Sequence, residues 1–262
     1  MTGERGLTVE CVSLEITDLS MADLHYEHPK LVNVYDLGNG WSADREFYLS
    51  LAGDPPKRIL DIGCGTGLLC NAYAGQGHQV TGVDPAGSML EAARRSPLGE
   101  KIRWVQSSAE SLQLEMKFDL IIMTGHAFQV LLEDQHVATA CSRIRDHLAP
   151  AGLFAFETRN PRIDWAREWD GMQRELPSPE GIVRESFKVR SVKGDRIVFE
   201  TEYVFPDEQL VSVSELRFMS SDAIERHLAD SGLYIHSLLG DWDGSPFDQD
   251  QSREMIFLAN CA

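Results

Sequence analysis

Between residues 58 and 160, short apolar segments alternate with segments of helical periodicity. The segments RILDIG, QVTGVD, KIRWVQ, FDLIIM and LFAFET predict strands, because each is short, apolar and rich in branched or aromatic residues. Helices are predicted at 67–75, 87–95 and 133–148, and the last of these stops before Pro150 and Gly152. Near-continuous apolar strands separated by helices are typical of a parallel sheet covered on both faces. This part of the chain therefore predicts an α/β fold.

After Asn160 and Pro161 the pattern changes to alternating apolar and polar residues without a convincing helix. The stretch 181–218 predicts an antiparallel meander of about three strands, followed by a helix at 221–231 and two final strands, YIHSLLG and EMIFLAN. The predicted organisation is an N-terminal helical cap at 1–57, a core at 58–160, an antiparallel insertion at 161–220, and a segment at 221–262 that completes the core.

Composition limits the partners. The chain has 24 Lys and Arg residues against 41 Asp and Glu, a formal charge of −17, which repels nucleic acid and anionic lipid. Five scattered cysteines without a CxxC pair predict a reducing, cytoplasmic location and no zinc site. His25 and His28 have ligand-like spacing but no cluster to complete a metal site, so we interpret them as a polar surface turn. No membrane segment is expected.

The segment LDIGCGTGLL follows the first strand and carries Gly63, Gly65 and Gly67. A dinucleotide-binding G-x-G-x-x-G loop would need glycine where Leu68 stands, which argues against a NAD-dependent oxidoreductase. Asp61 precedes the loop, and its carboxylate suits an ammonium better than a pyrophosphate. An acidic residue closing the second strand can accept the hydroxyls of a ribose. These features indicate a ligand with a ribose and a zwitterion but no phosphates, which fits S-adenosylmethionine.

The segment RILDIGCGTGLLCNAYAGQGHQVTGVDPAGSML resembles motif I and the following segment of class I S-adenosylmethionine-dependent methyltransferases. The resemblance continues through FDLIIMTGHAFQVL and LAPAGLFAFET, and covers about 58–160. It implies a Rossmann-like sheet of seven strands whose last strand is antiparallel, with the β insertion as a lid. A dimerisation sheet is the alternative for the insertion. Three features resemble the glycine N-methyltransferase and sugar-amine N-methyltransferase branch: Tyr35 and Trp41 before the helix WSADREFYLSLA, the segment TGHAFQVL, and the insertion itself.

The resemblance also implies which residues bind the cofactor. Asp61, Gly63, Gly65 and Gly67 would lie at the methionine end of the cofactor. Asp84 would accept the ribose hydroxyls, and Met89 would pack on the adenine.

The remaining cofactor residues are implied with one departure from the family. Ser108 and Ala109 follow the third strand, where the family usually has an acidic residue near the adenine amino group. Thr124 would line the pocket, and Tyr35 and Trp41 would close it from the N-terminal side.

Candidate acceptor residues lie after the fourth and fifth strands. His126 is a candidate general base, with a pocket-wall role as the alternative. Arg159 could pair with an anionic substrate group, and Trp242, in the acidic loop GDWDGSPFD, could flank a cationic amine. We therefore expect methyl transfer to a small-molecule acceptor, with an amine preferred over a hydroxyl, by a monomer or homodimer. A non-catalytic S-adenosylmethionine-binding protein is the more distant alternative.

Overall fold

The computed structural model describes residues 23–179 and 181–261. The strands, in chain order, are β1 Arg58–Ile62, β2 Gln79–Asp84, β3 Arg103–Gln106, β4 Phe118–Met123, β5 Leu148–Arg159, β6 Gln173–Ser178, β7 Gly181–Lys193, β8 Arg196–Val204, β9 Gln209–Arg217, β10 Leu233–Leu239 and β11 Glu254–Cys261. The α-helices are α1 Leu24–Glu27, α2 Pro29–Gly38, α3 Ala43–Ser50, α4 Leu68–Gly75, α5 Gly87–Arg94, α6 Asp134–His147, α7 Trp165–Trp169 and α8 Ser221–Asp230. Short 3₁₀ helices cover Gly99–Lys101 and Ala127–Val130.

The main sheet has seven strands in the order β10-β11-β5-β4-β1-β2-β3. Strands β1 to β5 pair in parallel, whereas β11 is antiparallel to both β5 and β10. This arrangement confirms the predicted Rossmann-like sheet with an antiparallel last strand. The carboxyl ends of β1, β2 and β4 meet at one edge, where open α/β sheets bind their ligands.

Alternation along β4 shows how the sheet is covered on both faces. Ile121 belongs to a buried apolar cluster that includes Ile144 of α6, while Leu120 and Ile122 belong to a second cluster that includes Tyr73 of α4. Successive side chains of a strand point to opposite faces, so a strand buried on both sides must be apolar at every position. Helices on the two faces therefore bury both sides of the central strands.

A separate antiparallel sheet, which we call the insertion sheet, has the order β6-β7-β8-β9. The sequence predicted about three strands from 181 to 218, and the structure adds β6 ahead of them, paired with β7 from Gln173↔Ser186 to Ser178↔Gly181. The segment QRELPS has little apolar alternation and contains Pro177, which an edge strand tolerates. Its strand character comes from pairing with β7, which the local sequence does not reveal.

Helix α2 lies between the insertion sheet and α5. Leu31 and Val34 are buried in a cluster with Val183 and Tyr203 of the insertion sheet, whereas Val32 is buried against α5. The N-terminal helices therefore connect the insertion sheet to the cofactor side of the main sheet. The boundaries predicted for the four parts of the chain stay predictions, and the first part of the cap lies outside the described residues. Within the described ranges, every helix is too short or too polar to span a bilayer.

Candidate active site

The glycine loop connects β1 to α4. Gly63, Gly65 and Gly67 have φ values of 74°, 53° and 79°, in the left-handed region that favours glycine. A Cβ on Gly67 would lie 2.5 Å from Trp104, so this glycine is required for packing beneath the loop. A Cβ on Gly65 would instead lie 3.8 Å from the ring of Tyr35, on the side that faces the N-terminal helices. Gly65 is thus the loop glycine that borders the predicted ligand space.

Asp84 ends β2 and holds the glycine loop in place. One carboxylate oxygen accepts the N–H of Gly65 at 2.8 Å, and the other accepts the N–H of Ala86 at 2.9 Å. Burial raises the pKa of Asp84, and these two N–H groups act in the opposite direction. Because an ionised carboxylate has about four acceptor positions, the pair of backbone bonds leaves capacity for hydroxyl donors.

Asp61 is a buried carboxylate beside the loop with an incomplete set of partners. It is 2% exposed, and its Oδ2 accepts the thiol of Cys70 at 3.4 Å. Its Oδ1 is buried and, among the described residues, has no hydrogen-bond partner. Burial raises the pKa of Asp61 to about 7, and the nearby charges of Asp84 and Glu157 add to this effect. An unpartnered carboxylate oxygen at this position suits a cationic ligand group, because burying it unpaired is costly.

The predicted adenine side is covered by the N-terminal helices. Met89 is fully buried in a cluster with Val32, and Tyr26 and Tyr35 pack against this cluster. Burial raises the pKa of Tyr35 to about 12, and it also raises the pKa of Tyr26. The structure thus places Tyr35 and Met89 together beside the glycine loop. Tyr26 is a member of this group that the sequence pattern did not indicate.

Glu27 is a second residue that the sequence analysis missed. Its carboxylate accepts the N–H groups of Gly87 at 3.1 Å and Ser88 at 3.3 Å, at the start of α5. A carboxylate at a helix N-terminus is favourable because it binds free N–H groups. The four-residue helix α1 has no periodic pattern that could have indicated this contact.

His25 lies in helix α1, so the interpretation as a surface turn was wrong for this residue, whereas His28 lies at the bend between α1 and α2. The Nδ1 of His25 lies 2.6 Å from the hydroxyl of Tyr203, and its backbone N–H donates to Asp23. Burial lowers the pKa of His25. The residue is enclosed because α1 is covered by the insertion sheet, a tertiary contact that the local sequence does not encode.

Other predicted cofactor residues are spread more widely. The hydroxyl of Ser108 donates to that of Ser111 at 3.3 Å. Ala109 is buried in the apolar cluster on one face of the sheet. Thr124 is half-buried after β4. Trp41 is 44% exposed, and its indole N–H donates to Glu46 on α3. Within the described contacts, Trp41 and Ala109 are therefore not brought to the glycine loop.

His126 follows β4 in an uncommon backbone conformation. Its φ is 62°, directly after Gly125 at 68°. Its backbone N–H donates to Glu157 Oε1 at 2.8 Å, and its Nε2 lies 2.9 Å from Glu254 Oε2. A left-handed conformation is costly for most residues and is maintained where the surroundings hold it in place. Two carboxylates thus hold the backbone and the ring of His126.

Glu157 connects His126 to the helix α3. It is 1% exposed, and its Oε2 accepts the hydroxyl of Tyr48. Burial raises the pKa of Glu157, while the positive field of His126 and the two hydrogen bonds oppose this effect. Trp242 packs behind this pair, with its ring 5.9 Å from that of Tyr48 and 5.8 Å from that of Phe47. Among the described contacts, Trp242 thus packs on Tyr48 and Phe47 and has none with His126.

Arg159 ends β5 and is half-buried. Its Nη1 donates to Gln129 Oε1 at 2.9 Å, and the guanidinium lies 5.0 Å from the ring of Trp169 and 5.7 Å from that of Trp165. Burial lowers the pKa of Arg159. In the part of the chain that the structure describes, no carboxylate lies within ion-pair distance of this guanidinium. Its charge is thus available to a ligand.

Glu254 and Gln129 are the further site residues that the sequence analysis missed. Glu254 pairs in register with Arg159 across β5 and β11, so the antiparallel last strand brings it to the site. Gln129 is 1% exposed in the 3₁₀ helix after His126. The order of the strands could be expected from the resemblance, but their register could not.

The known proteins that this chain resembles are methyltransferases. Residues 59–152 match the family described as a methyltransferase domain. The match identifies a methyltransferase domain within this part of the chain. The ubiquinone biosynthesis O-methyltransferase of Nitrobacter winogradskyi is 32% identical over 131 residues, which cover 48% of this chain and 46% of that protein. The chain thus spans about half the length of the curated relatives that it matches.

Solved structures of methyltransferases share the whole fold. The sugar N-methyltransferase KedS8 from Streptoalloteichus sp. superposes with a TM-score of 0.74 at 18% identity, covering 98% of each chain. An S-adenosylmethionine-dependent methyltransferase from Clostridium acetobutylicum also gives 0.74, at 16% identity, covering 89% of this chain and 98% of that one. At these identities the similarity shows the fold of the methyltransferase domain and its insertion, and leaves the acceptor open.

Proposed function

We propose that this protein transfers a methyl group from S-adenosylmethionine to a small-molecule amine that also carries an anionic group. The observation that supports this most directly is the unpartnered Oδ1 of Asp61 beside the glycine loop, at the carboxyl edge of the sheet. A buried carboxylate oxygen without a donor fits the ammonium of the methionine moiety. The preference for an amine and the anionic group are inferred from the acceptor side of the site.

The residues at the carboxyl edge of the sheet fit S-adenosylmethionine, a cofactor that has no phosphates. Asp61 would hold the ammonium, the backbone around Gly65 would approach the methionine chain, and Asp84 would accept the ribose hydroxyls. Met89 would pack near the adenine once the cover formed by α1 and α2 opens. When bound, the cofactor supplies an electrophilic methyl group on a cationic sulfonium.

The acceptor side of the site is acidic, which supports an amine. Glu157 and Glu254 lie on either side of His126, and such carboxylates stabilise the ammonium form of a bound amine. The ammonium has no free lone pair, so it must lose a proton before attack. His126 is the candidate acceptor of that proton, because Glu254 holds its ring and a neutral imidazole has a nitrogen that can accept a proton. Alignment of the lone pair with the methyl carbon supplies much of the remaining rate.

Arg159 supports an anionic group on the acceptor. Its guanidinium has no carboxylate partner among the described residues, and two tryptophan rings limit its access to water. A planar guanidinium in such a site favours a carboxylate or phosphate through paired hydrogen bonds. The position of Trp242 behind Tyr48 gives no support for a direct contact with the acceptor, so we retain only Arg159 in this role.

A hydroxyl acceptor is the second candidate, because the relatives matched at about 30% identity are named ubiquinone biosynthesis O-methyltransferases. The acidic surroundings of His126 distinguish the two. A hydroxyl has no cationic ground state to stabilise, so neutralising Glu254 would affect binding of an amine more than binding of a phenol.

We also propose a cytoplasmic protein without nucleic-acid or membrane partners, on the charge and cysteine pattern.

The test is a panel of matched acceptors, monitored by release of S-adenosylhomocysteine. The panel contains amines that carry a carboxylate, the methyl esters of the same amines, and phenols. We expect turnover of amines, with KM lower for the carboxylate than for the ester. The Arg159→Leu variant should lose that difference, whereas Arg162→Leu should keep it, because Arg162 is 60% exposed and pairs with Asp250. Binding of NADH but not S-adenosylmethionine in a thermal-shift assay, or turnover of phenols alone, would contradict the proposal.

His126 is tested with an asparagine variant, because asparagine tolerates the left-handed backbone. We expect kcat to fall by roughly 10²-fold or more if His126 accepts the proton. An unchanged kcat would assign His126 to the pocket wall. Binding of the cofactor without turnover of any acceptor would favour a non-catalytic binding protein.

A further inference from the structure

Gln129 is a buried side chain that lies between the candidate acceptor site and the insertion sheet. Its Oε1 accepts the Nη1 of Arg159 at 2.9 Å. Its Nε2 donates at 3.0 Å to the carbonyl of Arg217, the last residue of β9. The partners fix the orientation of the amide, since a guanidinium only donates and a carbonyl only accepts. One carboxamide therefore contacts the acceptor-binding guanidinium and the insertion sheet at the same time.

The surrounding contacts show that this end of the insertion sheet is anchored near Gln129. The side chain of Arg217 lies 2.7 Å from both Asp134 and Asp195, and Arg196 lies 2.8 Å from Glu133. The pairs with Asp134 and Glu133 join the insertion sheet to the segment that follows Gln129, whereas the pair with Asp195 lies within the insertion sheet. They do not reach Arg159, so they hold the sheet without contacting the acceptor site.

The aromatic residues beside Arg159 belong to the same boundary. Trp169 lies over the guanidinium and also 5.1 Å from the ring of Phe199 and 5.8 Å from that of Phe218. Phe199 is in β8, and Phe218 follows β9. A displacement of the insertion sheet would thus disturb both the ring stack on Arg159 and its hydrogen bond to Gln129.

We propose that Gln129 is a positioning residue that orients Arg159 for an anionic acceptor. Through its bond to Arg217, it makes binding of the acceptor depend on the position of the insertion sheet. This rests on the proposed function, in which Arg159 binds the anionic group. No other residue type of this size keeps both bonds. Glutamate lacks the donor for the Arg217 carbonyl and would form an ion pair with Arg159, cancelling the charge that the acceptor requires. Methionine has a similar volume and makes neither bond.

The first test compares KM and kcat for a carboxylate acceptor and its methyl ester in Gln129→Met and Gln129→Glu. We expect KM for the carboxylate to rise about tenfold in the methionine variant and about 100-fold in the glutamate variant, the range for losing hydrogen bonds to a charged group. KM for the ester and kcat should stay within about threefold. Matched changes at Gln135 should alter neither, because this glutamine is exposed and contacts Thr139. An equal rise in KM for the carboxylate and the ester, which leaves the ratio of the two KM values unchanged, would overturn the proposal.

The second test needs no turnover and uses acetate as the anionic probe. Hydrogen exchange of the β9 amides is followed with and without acetate, in the presence of S-adenosylhomocysteine. We expect acetate to slow exchange at β9 in the wild-type protein and in the Gln135 variants, but not in Gln129→Met. Equal protection in the wild type and Gln129→Met would overturn the role of Gln129 while leaving the proposed function intact. No protection by acetate in the wild type would overturn the coupling, and an unaltered acid-to-ester ratio in Arg159→Leu would separately remove the anionic acceptor from the proposed function.

Discussion

Replacing Asp61 with asparagine tests the site through both stability and binding. In the folded protein its pKa is about 7, against an ordinary value of 3.8, so the folded chain retains a proton that the unfolded chain has lost between these values. Stability from this group therefore falls as pH rises through that window and is fully lost above about pH 7. Linkage gives a loss of about 2 to 3 kcal/mol between about pH 5 and pH 8. Asp61→Asn removes that loss without changing the shape of the side chain.

The assay is urea unfolding of the wild type and Asp61→Asn without ligand at several pH values. The unfolding free energy of Asp61→Asn, minus that of the wild type, should increase by about 2 to 3 kcal/mol from pH 5 to pH 8. Asp119→Asn is the matched control, because the pKa of Asp119 is lowered by contacts with Arg58. Its contribution is lost only as pH falls below the ordinary value of 3.8, so its difference should be constant over this range. A pH-independent difference for Asp61→Asn would refute the reasoning.

Binding of the cofactor should reverse the state of Asp61. An ammonium beside Oδ1 favours the carboxylate, so S-adenosylmethionine binding near pH 6 should release about one proton. Calorimetry in two buffers of different ionisation enthalpy measures this release. The Asp61→Asn variant should bind about 10- to 100-fold more weakly, the range for losing a charged hydrogen bond, and should release no proton. Proton release that persists in the variant would assign it to another group.

Three further perturbations address the loop and its cover. Asp84→Ala should weaken S-adenosylmethionine binding by about 1.5 to 3 kcal/mol, because it removes hydroxyl acceptors and frees the Gly65 N–H; unchanged affinity in calorimetry would remove Asp84 from the site. Gly65→Val should abolish cofactor binding, because a branched residue is strained at φ 53° and fills the ligand side of the loop; tight binding by a folded variant would contradict this. Replacing 181–215 with a Gly/Ser linker should abolish turnover and also weaken cofactor binding by more than about tenfold, or 1.4 kcal/mol, because α2 packs on the insertion sheet. A monomeric deletion variant with full turnover would instead identify the sheet as a dimer interface.

The sequence by itself determined the elements whose signals are local. The five strands between 58 and 160 are short apolar runs, and the loop glycines occupy positions with positive φ. Asp61 is the second-last residue of β1, and Asp84 ends β2. Each of these features depends on neighbours within a few residues, so a pattern along the chain is enough to predict it. The antiparallel last strand followed from the resemblance to the methyltransferases, since no local pattern encodes strand direction.

The tertiary structure decided which side chains meet. Glu254 contacts His126 across 128 residues of sequence because β11 pairs with β5 in one particular register. Gln129 reaches Arg217 because the insertion sheet returns to the segment after β4, and His25 is enclosed because the same sheet covers α1. A one-residue shift of register would turn each strand's side chains to the opposite face, so contacts of this kind depend on long-range pairing. Packing between distant segments sets that pairing, and the order of residues along the chain does not reveal it.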